Sequence, residues 1–96
     1  MTEGYTASVN NWYQRGRFGI ISLTLVDLPD KVRWQTVATL PARAYANHNF
    51  FAIITSGTGG TPITRDGLIT ENNLNIYFGT GDAGKMTTLC LVVLLK

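Results

Sequence analysis

With 96 residues the chain has room for one domain and a single modest core. Hydrophobic residues make up 45% of it and charged residues only 15%, a low charge fraction that fits either surface covered by another chain or surface polarity supplied by Ser, Thr and Asn. Aromatic and β-branched residues are too frequent for a disordered chain. The net charge of +2 comes from basic residues dispersed along the sequence, which argues against nucleic-acid binding.

Turn residues punctuate short apolar or alternating runs, the pattern of an all-β domain. Tyr5 to Gln14, rich in Tyr, Thr, Val and Trp, predicts a first strand, and "RGR" centred on Gly16 predicts a tight turn. Phe18 to Val26 alternates: Ile21, Leu23 and Leu25 share one face, and Ile20, Ser22 and Thr24 the other. "DLPDK" (27–31) reads as a turn because Pro29 presets φ and Asp30 suits the next position. Val32 to Leu40 predicts a third strand, with Val32, Trp34, Thr36 and Ala38 on one face, which places Trp34 in the core or an interface. Pro41 ends it, and "PARAYANHN" follows as a loop.

Phe50 to Thr55 is nearly all apolar and predicts a strand buried on both faces. "SGTGG" (56–60) predicts a turn. Within Thr61 to Thr70, "RDGL" is a candidate type I′ hairpin, since Asp-Gly tolerates positive φ. Leu74, Ile76 and Phe78 alternate inward, with Asn75 and Tyr77 outward. "GTGDAGKMT" (79–87) approximates a phosphate-binding P-loop, but Met86 stands where the magnesium-binding hydroxyl belongs, and the next run reads as strand rather than helix. It is expected to be a connecting loop that Asp82 and Lys85 keep hydrated. Met86 to Leu95 predicts the last strand, apolar on both faces: Leu89, Leu91, Val93 and Leu95 on one, Cys90, Val92 and Leu94 on the other. The second face is covered either by a neighbouring subunit or within one small barrel. Cys90 reads as a small buried hydrophobe.

No basic and apolar leader is visible at residues 1–10, and the apolar run 89–95 falls far short of a membrane-spanning helix. A single Cys and a single His, His48, leave no disulfide pair and no Cys- or His-rich metal site, so no cofactor is expected. There is no G-x-S-x-G nucleophile elbow, and the carboxylates fall mostly at turns. One carboxylate pair stands to be tested as a glycosidase site, Asp66 with Asp82. The chain is therefore expected not to be an enzyme. Two segments combine aromatic faces with hydrogen-bonding side chains, the mixture that holds sugars. "NNWYQR" offers Trp12, with Tyr13 on the opposite face of its strand. "RAYANHN" offers Arg43, Tyr45, Asn47, His48 and Asn49, and as a loop it is the preferred candidate. Asp82 could add a bond to a sugar hydroxyl.

"NNWYQRGRFGIISLTL", then "VATLPARAYA", an apolar strand, "PITRDGLIT", "LNIYFG" and a final strand follow one another in an order that resembles the C-terminal head domains of tailed-phage receptor-binding and baseplate proteins, such as those of lactococcal siphophages. "TLPARAYA" matches their strand ending in Leu-Pro, with Ala46 where a second proline is usual, and "PITRDGLIT" matches their Asp-Gly hairpin. The resemblance covers residues 9–95. It implies one small antiparallel β-barrel or jelly-roll head over residues 1–96, part of a longer tail protein or of a baseplate. It further implies a homotrimer on the virion that meets other tail proteins and binds host cell-wall saccharides on adsorption, without membrane insertion. A purely structural trimerising module of the virion is the alternative.

Overall fold

The computed structural model describes residues 1–56 and 60–96. Seven strands follow in chain order: β1 (Thr6–Arg15), β2 (Phe18–Val26), β3 (Arg33–Thr39), β4 (His48–Thr55), β5 (Ile63–Thr70), β6 (Asn73–Phe78) and β7 (Met86–Leu94). They form one antiparallel sheet in the order β1-β2-β7-β4-β5-β6-β3, with no helix among the described residues. The sheet curls into a half-barrel. The segment leading into β1 reaches across to the other end of the sheet, where the Thr2 amide donates to the Val37 carbonyl of β3 at 3.2 Å and the Tyr5 ring stacks on Phe78 of β6 with centroids 6.2 Å apart. The all-β, antiparallel, barrel-like expectation holds.

The core lines the inside of the curl. Leu23 and Leu25 of β2, Ile54 of β4, Ile69 of β5 and Leu74 and Ile76 of β6 are essentially sealed from water. Each such side chain contributes about 1.5–3 kcal/mol on burial. Register carries one inner row across three strands, Leu25 to Thr87 to Ile54. At one end of the curl the 27–31 turn meets the 79–85 loop: the Leu28 amide donates to the Lys85 carbonyl, and the Gly84 amide to the Leu28 carbonyl. Residues 79–85 run directly into β7, so the P-loop-like motif is a connector.

Several expectations are corrected. β4 is not buried on both faces: Phe50, Ala52 and Ile54 point inward, while Phe51 is 69% exposed and Ile53 is also open to solvent. "RDGL" is not a turn. β5 runs straight through it, and the hairpin closes at Glu71 and Asn72, with Glu71 at φ 55°. Gly67 is glycine because the Phe50 ring occupies the space a Cβ would need. β3 carries a bulge between Thr36 and Ala38 that turns both Val37 and Ala38 into the core. Trp34, ahead of the bulge, lies outside with 48% of its surface exposed, which overturns the core half of its expected core-or-interface placement. Cys90 is exposed rather than buried. The turn expected at 56–60 includes residues 57–59, which lie outside the described residues.

The outer face of β7 is open. Val92 pairs across to Ile20 and then Tyr13, and Leu94 to Phe18 and then Arg15. Tyr13, Phe18, Ile20, Val92 and Leu94 are all exposed, so among the described residues nothing covers this second apolar face.

Candidate functional site

The predicted loop site begins with the segment between β3 and β4, which is pinned along its backbone. The Ala44 amide donates to the Glu71 carbonyl at 2.8 Å, the Tyr45 amide to the Leu94 carbonyl at 2.8 Å, and the Lys96 amide to the Arg43 carbonyl at 3.0 Å. Tyr45, Asn47 and His48 come together with Ala46, Val93 and Leu94 around a cavity of about 110 Å³. The Arg17 guanidinium lies 5.3 Å from the Tyr45 ring centroid, a cation–π contact that holds the ring in place. At roughly 30 Å³ per water the cavity has room for only a few solvent molecules, well below the roughly 300–1,000 Å³ of ordinary ligand pockets.

The other predicted residues go elsewhere. Arg43 is exposed beside Lys96. Trp12 turns to the inner side, where its ring lies against Gly19 in space a Cβ would claim, and its Nε1–H donates to Gln14 Oε1 at 3.3 Å. Asn49 lines a different cleft. Asp82, expected to be hydrated, is 2% exposed and wholly engaged. Arg65 Nε–H donates to its Oδ2 at 2.9 Å, Arg65 Nη2–H to its Oδ1 at 3.0 Å, and the Gly79 amide to Oδ2 at 2.9 Å. Burial works to raise the pKa of Asp82. The Arg65 hydrogen bonds, the Gly79 amide and the positive charges of Arg65 and Lys85 outweigh it and hold the carboxyl below its ordinary range. This is a structural clip from β5 to the 79–85 loop, with no group left over for a sugar. It also removes the glycosidase pair. Arg65 reaches inward to Asp82, so its neighbour Asp66 points to the opposite face of the sheet.

The larger concavity is on the outer face. Trp34, Asn49, Phe50, Phe51, Asp66 and Gly67 line a cleft of about 350 Å³. Register builds it: Phe51 of β4 stands directly opposite Asp66 of β5, and Trp34 of β3 opposite Tyr77 of β6. The Trp34 ring is braced edge-on by Tyr77, with centroids 5.4 Å apart and planes at 79°. The result is a cleft that offers a carboxylate and an amide together with two exposed aromatic rings. Such a set can cover the C–H face of a sugar ring and bond its hydroxyls. Among the described residues no cation pairs with Asp66. Sequence reasoning named Asn49 as a sugar-binding residue, Asp66 only as half of a carboxylate pair and Trp34 only as core or interface, because the cleft is assembled from strands whose register the sequence does not display. The available signal was a run of aromatic residues at outward strand positions.

The fold also concentrates basic residues that are dispersed in sequence. Arg15 and Arg17 flank the β1–β2 turn, Arg17 Nε–H donates to the Leu95 carbonyl at 3.1 Å, and Lys96 bonds Arg43. Four of the eight basic residues thereby gather around the end of β7. Among the described residues no group of His, Cys, Asp and Glu is placed to hold a metal ion. No family model matches the chain, and neither a curated protein nor a solved structure matches it.

Proposed function

We propose that the chain is a non-catalytic saccharide-recognition module of a tailed-phage adhesion device, working as a homotrimer that meets the host cell wall. The observation that carries this reading is the outer cleft, where Trp34 and Phe51 form apolar walls around the hydrogen-bonding Asp66 and Asn49. Its volume lies within the range of small-molecule sites. The order of sequence motifs over residues 9–95 supports the phage assignment. Trp34 and Phe51 supply stacking, Asp66 and Asn49 supply orientation, and Tyr45, Asn47 and His48 form a subsidiary contact around the smaller cavity. Each site is shallow, so several copies acting together provide avidity.

A screen of cell-wall glycans against the isolated domain tests the reading. Binding is expected, with loss in Trp34→Ala and Phe51→Ala and little change in Tyr45→Ala. Absence of any glycan bound, or loss in Tyr45→Ala alone, overturns the placement of the site in the cleft.

One observation favours a second reading, a structural module that binds only protein. The open apolar rows of Tyr13, Phe18, Ile20, Val92 and Leu94 are the kind of surface that assembly covers. Both readings include self-association, and light scattering tests it: a solution mass near 10.5 kDa would exclude the trimer. A stable trimer that binds no glycan favours the structural module.

A further inference from the structure

We propose that the outer cleft selects a saccharide carrying a free ammonium group over its neutral or acetylated counterpart; this rests on the reading that the cleft receives a sugar. The argument starts from Asp66. Its carboxylate is exposed within the cleft, and among the described residues no cation pairs with it. The nearest basic residue in sequence, Arg65, points through the sheet and is held by Asp82. The basic group at Arg15, Arg17 and Lys96 belongs to the β1–β2 turn and the end of β7, strands that β4 separates from β5. Asp66 is therefore a free negative charge in a binding cleft.

What surrounds it sharpens the preference. Phe51 is directly across the ladder, and Trp34, braced by Tyr77, forms the facing wall. Aromatic faces carry negative quadrupole density and attract cations, most strongly for Trp. They also displace water beside the carboxylate, and a less polar surrounding strengthens its attraction for a positive charge. A hydroxyl donated to Asp66 gains a hydrogen bond to an ion. An ammonium gains that bond, the full charge attraction and the ring contact together. Acetylating the amine removes the charge and adds bulk at the same place. Asn49, on the same outer face of β4, remains to bond a ring hydroxyl and orient the sugar.

The test compares a glucosamine oligomer with an N-acetylglucosamine oligomer of equal length, each titrated calorimetrically into the intact chain in a buffer that keeps the sugar amine protonated. The glucosamine oligomer is expected to bind about tenfold more tightly, with an advantage that shrinks as salt is added. Asp66→Asn keeps the shape and a hydrogen-bonding group but removes the charge. It is expected to abolish the preference, weakening the glucosamine oligomer by about tenfold more than the acetylated one. Because Asp66 is exposed, the variant's far-UV circular dichroism should match the parent. Equal affinities in the parent, a preference for the acetylated oligomer, or a preference that survives Asp66→Asn overturns the inference. In those cases saccharide recognition itself stands. If neither oligomer binds while the wider glycan screen finds a ligand, the inference alone falls. If neither oligomer binds and the screen is empty, both fall.

Discussion

Arg65→Met and Asp82→Leu remove opposite halves of one ion pair, and the structure says they will not cost the same. The Asp82 side chain is 2% exposed and that of Arg65 25%. Arg65→Met leaves a carboxylate sealed from water with one hydrogen bond, from the Gly79 amide, and the more distant charge of Lys85 to answer it. Stranding a buried charge in this way costs about 3–5 kcal/mol. Asp82→Leu leaves a guanidinium that can still reach solvent, so its cost is closer to that of losing charged hydrogen bonds, about 1.5–3 kcal/mol. A domain of this length has about 5–14 kcal/mol in total, so either loss is measurable and the first is severe. The double variant carries no stranded charge. It is expected to be more stable than Arg65→Met alone, with a coupling energy of about 2 kcal/mol. Urea unfolding, followed by circular dichroism and by the fluorescence of Trp12 and Trp34, gives all four corners of the cycle. A larger loss for Asp82→Leu than for Arg65→Met, or strictly additive losses, would refute the reasoning.

Two further predictions concern the same framework. The folded pKa of Asp82 lies below its unfolded value of about 3.9, so its contribution is fully present above about pH 4 and is lost as pH falls through the folded value; in acid titrations of stability, Asp82→Asn should show a shallower decline than the parent. Gly67→Ala pushes a methyl into the Phe50 ring and should cost about 1–3 kcal/mol in thermal unfolding, with a smaller loss in a Phe50→Leu background. Equal losses in both backgrounds would separate Gly67 from the ring.

Local patterns made most of the strands legible. β2 follows the expected Phe18–Val26 span, and the alternation in Leu74, Ile76 and Phe78 matches their burial. Expectations failed where a residue answers to something distant. Asp66-Gly67 has the chemistry of a hairpin turn, yet its glycine serves an aromatic ring on the neighbouring strand. Asp82 has the composition of a wet loop, yet it is claimed by an arginine 17 residues away. The bulge at Thr36–Ala38 changes which residues of β3 face inward, which puts Trp34 outside. The preferred loop did bring Tyr45, Asn47 and His48 together, because those residues are neighbours along the chain. The larger cleft joins β3, β4 and β5, and only the register between them creates it.

The strand order has a consequence for how the protein is made. β7, the last of the seven strands in chain order, lies between β2 and β4, and its two ladders join the β1–β2 hairpin to the β4-β5-β6-β3 portion. During synthesis those two portions emerge first, each with an apolar inner surface and an unpaired border waiting for the strand between them. The sheet is knitted only when residues 86–94 arrive, by pairings such as Leu23 with Leu89 that span most of the chain. Loop closure over such distances must precede its reward, so acquisition of the native state is governed by the arrival and insertion of this strand, while the earlier borders remain open to other chains.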